Sequence, residues 1–312
     1  MYRRNHRNRA AEPIPRHKTI LFSPSTPGLG QHKASKLWDS YEGTYMEVVI
    51  QPDAERAARL VALLMADQLR RKPGTVFGLA TGRTMERVYA QLAQMHSEDG
   101  LDFSRCRTFN LDEYIGIPAS SEHSYRHYMN THLFNPVNIP LASTHLPDGM
   151  TADVKSACRA YEHCIRDCGG IDLQLLGIGV SGHIGFNEPL SALRSRTRDK
   201  ALTPATLRQN APLFGGDIDR MPHRAITMGV GTILEARKLL VLVTGAEKAG
   251  IVAKAVEGPV TSMVSASAIQ LHEDCCVVVD EEAAALLEGQ EYYRWIFANE
   301  PEWAPYRTPL AP

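Results

Sequence analysis

His183 and Glu188 lie within Asp172–Pro189, which reads Asp-Leu-Gln-Leu-Leu-Gly-Ile-Gly-Val-Ser-Gly-His-Ile-Gly-Phe-Asn-Glu-Pro. Imidazole exchanges a proton with an ether or hydroxyl oxygen near neutral pH, and a nearby carboxylate orients it and stabilises its charged form. The apolar run Leu173, Leu175, Leu176, Ile178 reads as a buried parallel strand, and the glycines after it let the backbone turn sharply against a ligand. Gly177, Gly179 and Gly182 also spell the dinucleotide fingerprint, which needs a helix opening at its last glycine and an acidic residue about 20 positions on. Pro189 cuts such a helix short, so the stretch reads as an active-site loop at the carboxyl edge of a sheet.

Three further segments follow strands. Phe109-Asn-Leu-Asp-Glu-Tyr114 sets two carboxylates side by side, where repulsion and partial burial raise a pKa. A carboxylate held there can act as base toward a C–H; the competing reading makes Asp112 a helix cap with Glu113 in solvent. Gly78-Leu-Ala-Thr-Gly-Arg-Thr84 is a strand-to-helix turn whose free N–H groups and helix dipole suit phosphate. Thr81 and Thr84 add hydroxyls and Arg83 a guanidinium, although any such turn needs glycine and a capping threonine. Lys248, in Thr244-Gly-Ala-Glu-Lys248, opens a helix where a cation opposes the dipole; an anionic partner explains it, and so does plain solvation.

The 312 residues are 44% hydrophobic and 22% charged, enough for one large core or two modest ones. With 34 basic against 35 acidic residues there is no global field to hold nucleic acid or an anionic membrane. No apolar run approaches the roughly 20 residues of a membrane span, and the chain reads as cytoplasmic. Cys106, Cys158, Cys164, Cys168, Cys275 and Cys276 show no repeated short-spaced pairs. Cys164 and Cys168 share a helix face beside His163, which admits a metal site, but reduced structural thiols are the default.

Residues 1–45 are rich in Arg, His, Pro and Ser without periodicity and are expected to be disordered, unless the natural chain starts at Met46. From there strands alternate with helices: Val48–Ile50, a helix capped by Asp53, Thr75–Leu79, a helix over 84–95, Arg107–Asn110, helices over 123–133 and 152–168, and the central strand. Strands at 225–228 and 238–243, a helix from Glu247 and a strand at 276–279 follow. The alternation predicts an α/β fold, a mostly parallel sheet with helices on both faces, in one domain over residues 46–312. Trp295 and Trp303 near the C-terminus fit either a lid over a pocket or an ordinary helix and tail.

Taken together, these segments resemble the glucosamine-6-phosphate deaminase/isomerase family. Its pattern of Gly-Leu-x-Thr-Gly-x-Thr, Phe-Asn-x-Asp-Glu-Tyr, Gly-x-Gly-x-x-Gly-His-Ile-x-Phe-Asn-Glu-Pro, Gly-Val-Gly-Thr and Gly-x-x-Lys occurs here in order. The similarity continues through Ser195-Arg-Thr-Arg198, Val256-Glu-Gly258 and Leu271-His272. It implies a modified doubly wound, Rossmann-like fold and conversion of glucosamine 6-phosphate to fructose 6-phosphate and ammonia, in amino-sugar catabolism, without metal or organic cofactor. Carried onto matching positions, His183 opens the sugar ring with support from Ser181 and Glu188, and Asp112 moves a proton between C2 and C1. Thr81, Gly82, Arg83, Thr84 and Lys248 hold the 6-phosphate. Some members are oligomers activated by N-acetylglucosamine 6-phosphate; Ser191, Arg198 and Lys200 match that second site, with Ala192 and Ala201 in place of polar partners. A homo-oligomer is therefore expected. The alternatives are a weakened sugar-phosphate sensor, a deaminase for another epimer such as galactosamine 6-phosphate, and a phosphosugar lactonase.

Three departures from the pattern bear on activity. Ser181 stands where members carry Asp or Asn; serine brings no charge to an imidazolium, which predicts slower ring opening. Arg83 and Met85 replace a small residue and a proline in the phosphate turn. A phosphate-binding arginine of many members has no match near 210–214, where Ala211, Pro212 and Leu213 stand. The hypothesis that follows is that Arg83 took over that arginine's role: Arg83→Ala then raises KM or severely lowers kcat/KM, and steady-state constants equal to wild type would sink the exchange.

Overall fold

The computed structural model describes residues 45–307. The expectation of disorder for 1–45 lies outside the described residues, except at Tyr45, which opens the first strand. The strands in chain order are β1 (Tyr45–Gln51), β2 (Val76–Leu79), β3 (Arg107–Asn110), β4 (Asp112–Tyr114) and β5 (Thr144–His145). They continue with β6 (Leu173–Leu176), β7 (Arg198–Ala201), β8 (Arg224–Thr227), β9 (Leu239–Val243) and β10 (Asp274–Asp280). Seven form one sheet in the order β1-β10-β9-β6-β2-β3-β5, with every neighbouring pair parallel.

Parallel sheets are covered on both faces, and the strands show it: β2, β6 and β9 are buried at every position. The helices are α1 (Ala54–Arg71), α2 (Arg83–Asp99), α3 (Tyr125–Met129), α4 (Val154–Asp167) and α5 (Pro204–Asn210). After them come α6 (Val230–Leu234), α7 (Ala249–Val256), α8 (Glu281–Ala284) and α9 (Gln290–Asn299). Asp53 caps α1 by accepting the Arg56 N–H, as its sequence position predicts, a contact worth about 1 kcal/mol. From α4, Tyr161 packs edge-on against Phe109 of β3, whose other neighbour is the stacked ring of His145. Gly78 is glycine for a packing reason: a Cβ there would stand 2.0 Å from Oε1 of Gln174, which fills the space across the sheet.

Strand order reverses between β6 and β2, which opens a crevice at their carboxyl ends. The mostly parallel sheet with helices on both faces is as expected; beside it β4, β8 and β7 form a separate antiparallel sheet, which takes the strand at 225–228. The chain changes sheets at one residue: the Leu111 N–H donates to the Leu79 carbonyl, and the Leu111 carbonyl accepts from Met228. Strand propensity marks 225–228 as extended but says nothing about which sheet receives it. Further differences are that α2 runs to Asp99, where Gly100 ends it in a left-handed conformation, and that β5 went unread.

At the C-terminus the lid alternative falls. Contacts along β1 seat α9, and the turn after it buries Trp303, whose Nε1 donates to Glu47. Trp295 is exposed, and neither tryptophan reaches the crevice.

Candidate active site

A cavity of about 480 Å³ occupies the crevice at the carboxyl ends of β2 and β6. Its first wall is the turn after β2. Gly82 has a φ of 117°, a conformation only glycine adopts freely, and α2 starts at the next residue. The carbonyls of this turn are tied back: Ala80 accepts from the Tyr89 hydroxyl, and Gly82 from the Tyr128 hydroxyl at 2.8 Å and the Met85 N–H at 2.9 Å. The amides of the first turn of α2 have no acceptor within the helix, so the turn offers donors to an anion. Arg83 is exposed on the cavity wall and forms no ion pair among the described residues.

The second cation comes from the turn after β9. Gly245, with φ of 99°, donates its N–H to both carboxylate oxygens of Asp280 at 3.0 Å, and Asp280 also caps α8. Lys248 thereby faces the cavity and donates Nζ to the Ile178 carbonyl at 2.8 Å. Burial pushes its ammonium pKa down. Among the described residues Nζ hydrogen-bonds a neutral carbonyl and forms no ion pair, which leaves its charge to meet an anion.

Asp112 enters from β4, one residue past the sheet switch. Its carboxyl is buried, and burial followed by the charge of Glu113 pushes its pKa up to about 8. The helix-cap alternative is reversed between the two residues. Glu113 adds to the capping of α3, whose N-cap is Ser124: it accepts the N–H groups of Tyr125 and Arg126 at the start of α3, and that of Tyr114, all within 3.0 Å. Asp112 is free for chemistry. Gly185 keeps it accessible, because a Cβ there would stand 3.3 Å from Asp112 Oδ2.

The glycine turn after β6 wraps His183. A Cβ at Gly179 would lie 2.1 Å from His183 Nε2, and one at Gly182 would strike Ile251 and Val264 at 2.7 Å. No helix opens at Gly182, which removes the dinucleotide reading. His183 Nδ1 lies 2.7 Å from the Ser181 hydroxyl and 3.3 Å from Glu188 Oε2, and Ser181 also donates to Glu188. The negative charge that serine lacks is thus supplied by Glu188 itself. Burial alone would raise the Glu188 pKa, but hydrogen bonds from His183 and Thr206, the imidazole's charge and the Thr203 N–H outweigh it and hold the pKa at about 2.

Asp112, His183, Thr81, Gly82, Arg83, Thr84 and Lys248 all line this one cavity. Ser181 and Glu188 stand behind His183 and are not part of the wall. Ser191 and Arg198 meet elsewhere: the guanidinium donates to Ser191 at 3.0 Å and to Asn187 at 2.8 Å, with Lys200 two residues along β7. Sequence reasoning missed Tyr125 and Tyr128, which line the cavity from α3, and Gln209 and Asn210 from the end of α5. Two tyrosines three apart in a short helix after the acidic pair were the available signal. The cysteine metal site does not form, since no group of three ligating side chains among the described residues could hold an ion.

A doubly wound sheet with a donor-rich turn, a buried carboxyl of raised pKa and a carboxylate-backed imidazole around one cavity has the build of a Rossmann-like enzyme. The family model described as glucosamine-6-phosphate isomerases/6-phosphogluconolactonase matches residues 52–278, and the chain belongs to that family. It is 49% identical over 258 residues to a glucosamine-6-phosphate deaminase of Streptomyces coelicolor, covering 83% of this chain and 99% of that protein. A deaminase of the same name from Shewanella loihica is 48% identical over 254 residues, 81% of this chain and 94% of the relative. Among solved structures, one described as a monomeric glucosamine-6-phosphate deaminase superposes with a TM-score of 0.76 at 40% identity, over 77% of this chain and all of the other. The 6-phosphogluconolactonase of Thermotoga maritima, with a TM-score of 0.59 at 20% identity, covers 76% of this chain and 100% of the other and shares the fold.

The raised pKa of Asp112 has a signed consequence for stability. Below its ordinary value of 3.8 the carboxyl is protonated whether folded or not; between there and about 8 only the unfolded chain ionises it, so its contribution to stability falls as pH rises through that window. Asp112→Asn removes this loss. The variant is expected to melt at the wild-type temperature near pH 4 and roughly 10 °C higher at pH 8. A melting difference that does not grow with pH would contradict the buried proton.

Proposed function

We propose that this protein converts glucosamine 6-phosphate and water to fructose 6-phosphate and ammonia. The observation that carries the reading is that Asp112 and His183 face one cavity with Arg83 and Lys248. The comparisons support it through relatives of that name over most of the chain.

In this scheme the amides of residues 82–84, Arg83 and Lys248 hold the 6-phosphate, which fixes the reacting carbons against Asp112; positioning of this kind supplies a large part of a rate enhancement. His183 gives a proton to the ring oxygen as the C1–O5 bond breaks and takes back the proton of the anomeric hydroxyl, which becomes the aldehyde, with Glu188 balancing the imidazolium. Asp112 takes the proton from C2, the electron pair forms the C1–C2 double bond while His183 returns a proton to O1 to give the enolamine, and Asp112 then delivers the C2 proton to C1, leaving an iminium at C2 and a neutral His183 able to accept a proton from the incoming water. Water adds to the resulting iminium carbon at C2, and nitrogen leaves as ammonia. A carboxyl whose pKa is pushed to about 8 suits a group that must both take and return a proton near neutrality. The relatives of high identity favour the deaminase over the lactonase, whose solved structure shares the fold at 20% identity.

Further parts of the proposal concern assembly. Residues 46–312 act as one catalytic domain, in a cytoplasmic homo-oligomer; exposed Leu190 and Met263 and the free state of all six cysteines support this. Ser191, Arg198 and Lys200 form a second, regulatory anion site, which is supported by the half-buried Arg198 having no carboxylate within ion-pair distance among the described residues. Sedimentation with and without N-acetylglucosamine 6-phosphate, alongside activity, tests both; a monomer indifferent to that ligand rejects them.

The primary test is ammonia and ketose-phosphate formation from glucosamine 6-phosphate and galactosamine 6-phosphate, with His183→Ala as control. Because Asp112 acts as a base, kcat/KM should rise about tenfold per pH unit well below pH 8 and level off above it. Absence of ammonia from both sugars removes the reading; a flat profile from pH 6 to 9 removes Asp112 as the base.

A further inference from the structure

We infer that Glu113 is a positioning residue that fixes the distance between Asp112 and the phosphate turn, acting through Tyr125 and Tyr128. This rests on the reading of residues 81–84 as the phosphate site.

Consecutive residues of a strand point to opposite faces, so Asp112 turns into the cavity while Glu113 turns away from it. The Glu113 side chain is 4% exposed and makes a complete set of contacts. Oε1 accepts from Tyr114 and Tyr125 at 2.9 and 3.0 Å, and Oε2 from Arg126 at 3.0 Å. Ser124 accepts the next amide, that of His127, at 3.0 Å. Every free N–H at the start of α3 is therefore fixed by a side chain, and two of the three are fixed by Glu113.

α3 runs on without a break into a π-helical turn over Asn130–Phe134, and ten helical residues still have little stability of their own, so the groups that fix the first turn help set the segment's orientation. From this pinned helix two tyrosines cross to the phosphate turn. The Tyr128 hydroxyl donates to the Gly82 carbonyl at 2.8 Å, and the Tyr125 hydroxyl, which donates to that of Tyr114 at 3.3 Å, lies beside the Thr81 side chain. The path runs from the strand carrying the base, through one carboxylate, to both residues that shape the anion turn. The carbonyl that Tyr128 holds belongs to the cap of α2, so its direction sets where the free amides of that turn point.

Hydrogen bonds to a charged group contribute more than neutral ones, and replacing Glu113 by its amide sets donors against donors at α3. Glu113→Gln should weaken binding of inorganic phosphate, measured by calorimetry, about tenfold, and Tyr128→Phe about threefold. KM should rise in parallel while kcat changes less. A merely structural role would lower the active fraction, and so kcat, at unchanged KM. Circular dichroism confirms folding; should Glu113→Gln fail to fold, Tyr128→Phe decides alone. Wild-type phosphate affinity in either folded variant overturns the inference, as does a wild-type protein that binds no phosphate. Because the calorimetry needs no turnover, a wild type that binds phosphate but releases no ammonia rejects the proposed reaction and leaves this test intact.

Discussion

Leu111 bonds to two sheets at once, through its N–H to β2 and through its carbonyl to the residue after β8. That double commitment is the constraint on which the site depends. A strand that continued straight past Asn110 would carry its acidic pair along the parallel sheet. The switch instead turns Asp112 across the mouth of the crevice that the reversal of strand order leaves open. The small antiparallel sheet receives it, and Thr227 of β8 both pairs with Asp112 and accepts at its hydroxyl oxygen the Phe186 N–H of the histidine loop.

Two buried carboxylates, Asp112 and Glu188, lie on either side of one imidazole's work and are driven in opposite directions. Asp112 gains no strong donor to repay burial and has a like charge beside it, so it holds its proton. Glu188 is met by Ser181, His183 and two bonds from Thr203, which offset its burial and keep it charged. Separation of this kind assigns roles: one group cycles a proton and the other keeps an opposing charge in place.

The sequence made the alternation legible because parallel strands buried on both faces appear as unbroken apolar runs, as in Leu239–Val243. It made the catalytic loop legible because glycines at 179 and 182 sit where side chains would collide. What stayed hidden was relational. Neither the second sheet nor the exchange of roles between Asp112 and Glu113 has a local signature, since both depend on which distant backbone approaches. Tyr125 and Tyr128 were invisible for the same reason: an aromatic pair on a short helix reads as core until the turn it touches is known. How Ser181 and Glu188 share one imidazole was likewise a matter of three dimensions, since Glu188 folds back to the nitrogen that Ser181 contacts.

The first strand of the sheet pairs with the last, Val48 against Val277, more than two hundred residues apart. During synthesis β1 therefore has no partner until the end of the sheet has emerged, because β10 lies between it and β9. Loop-closure entropy must be met before that pairing returns any energy, which makes it a late event in folding and leaves an apolar strand uncovered meanwhile. A chain ending short of Asp274 would lose its first strand from the sheet together with its last.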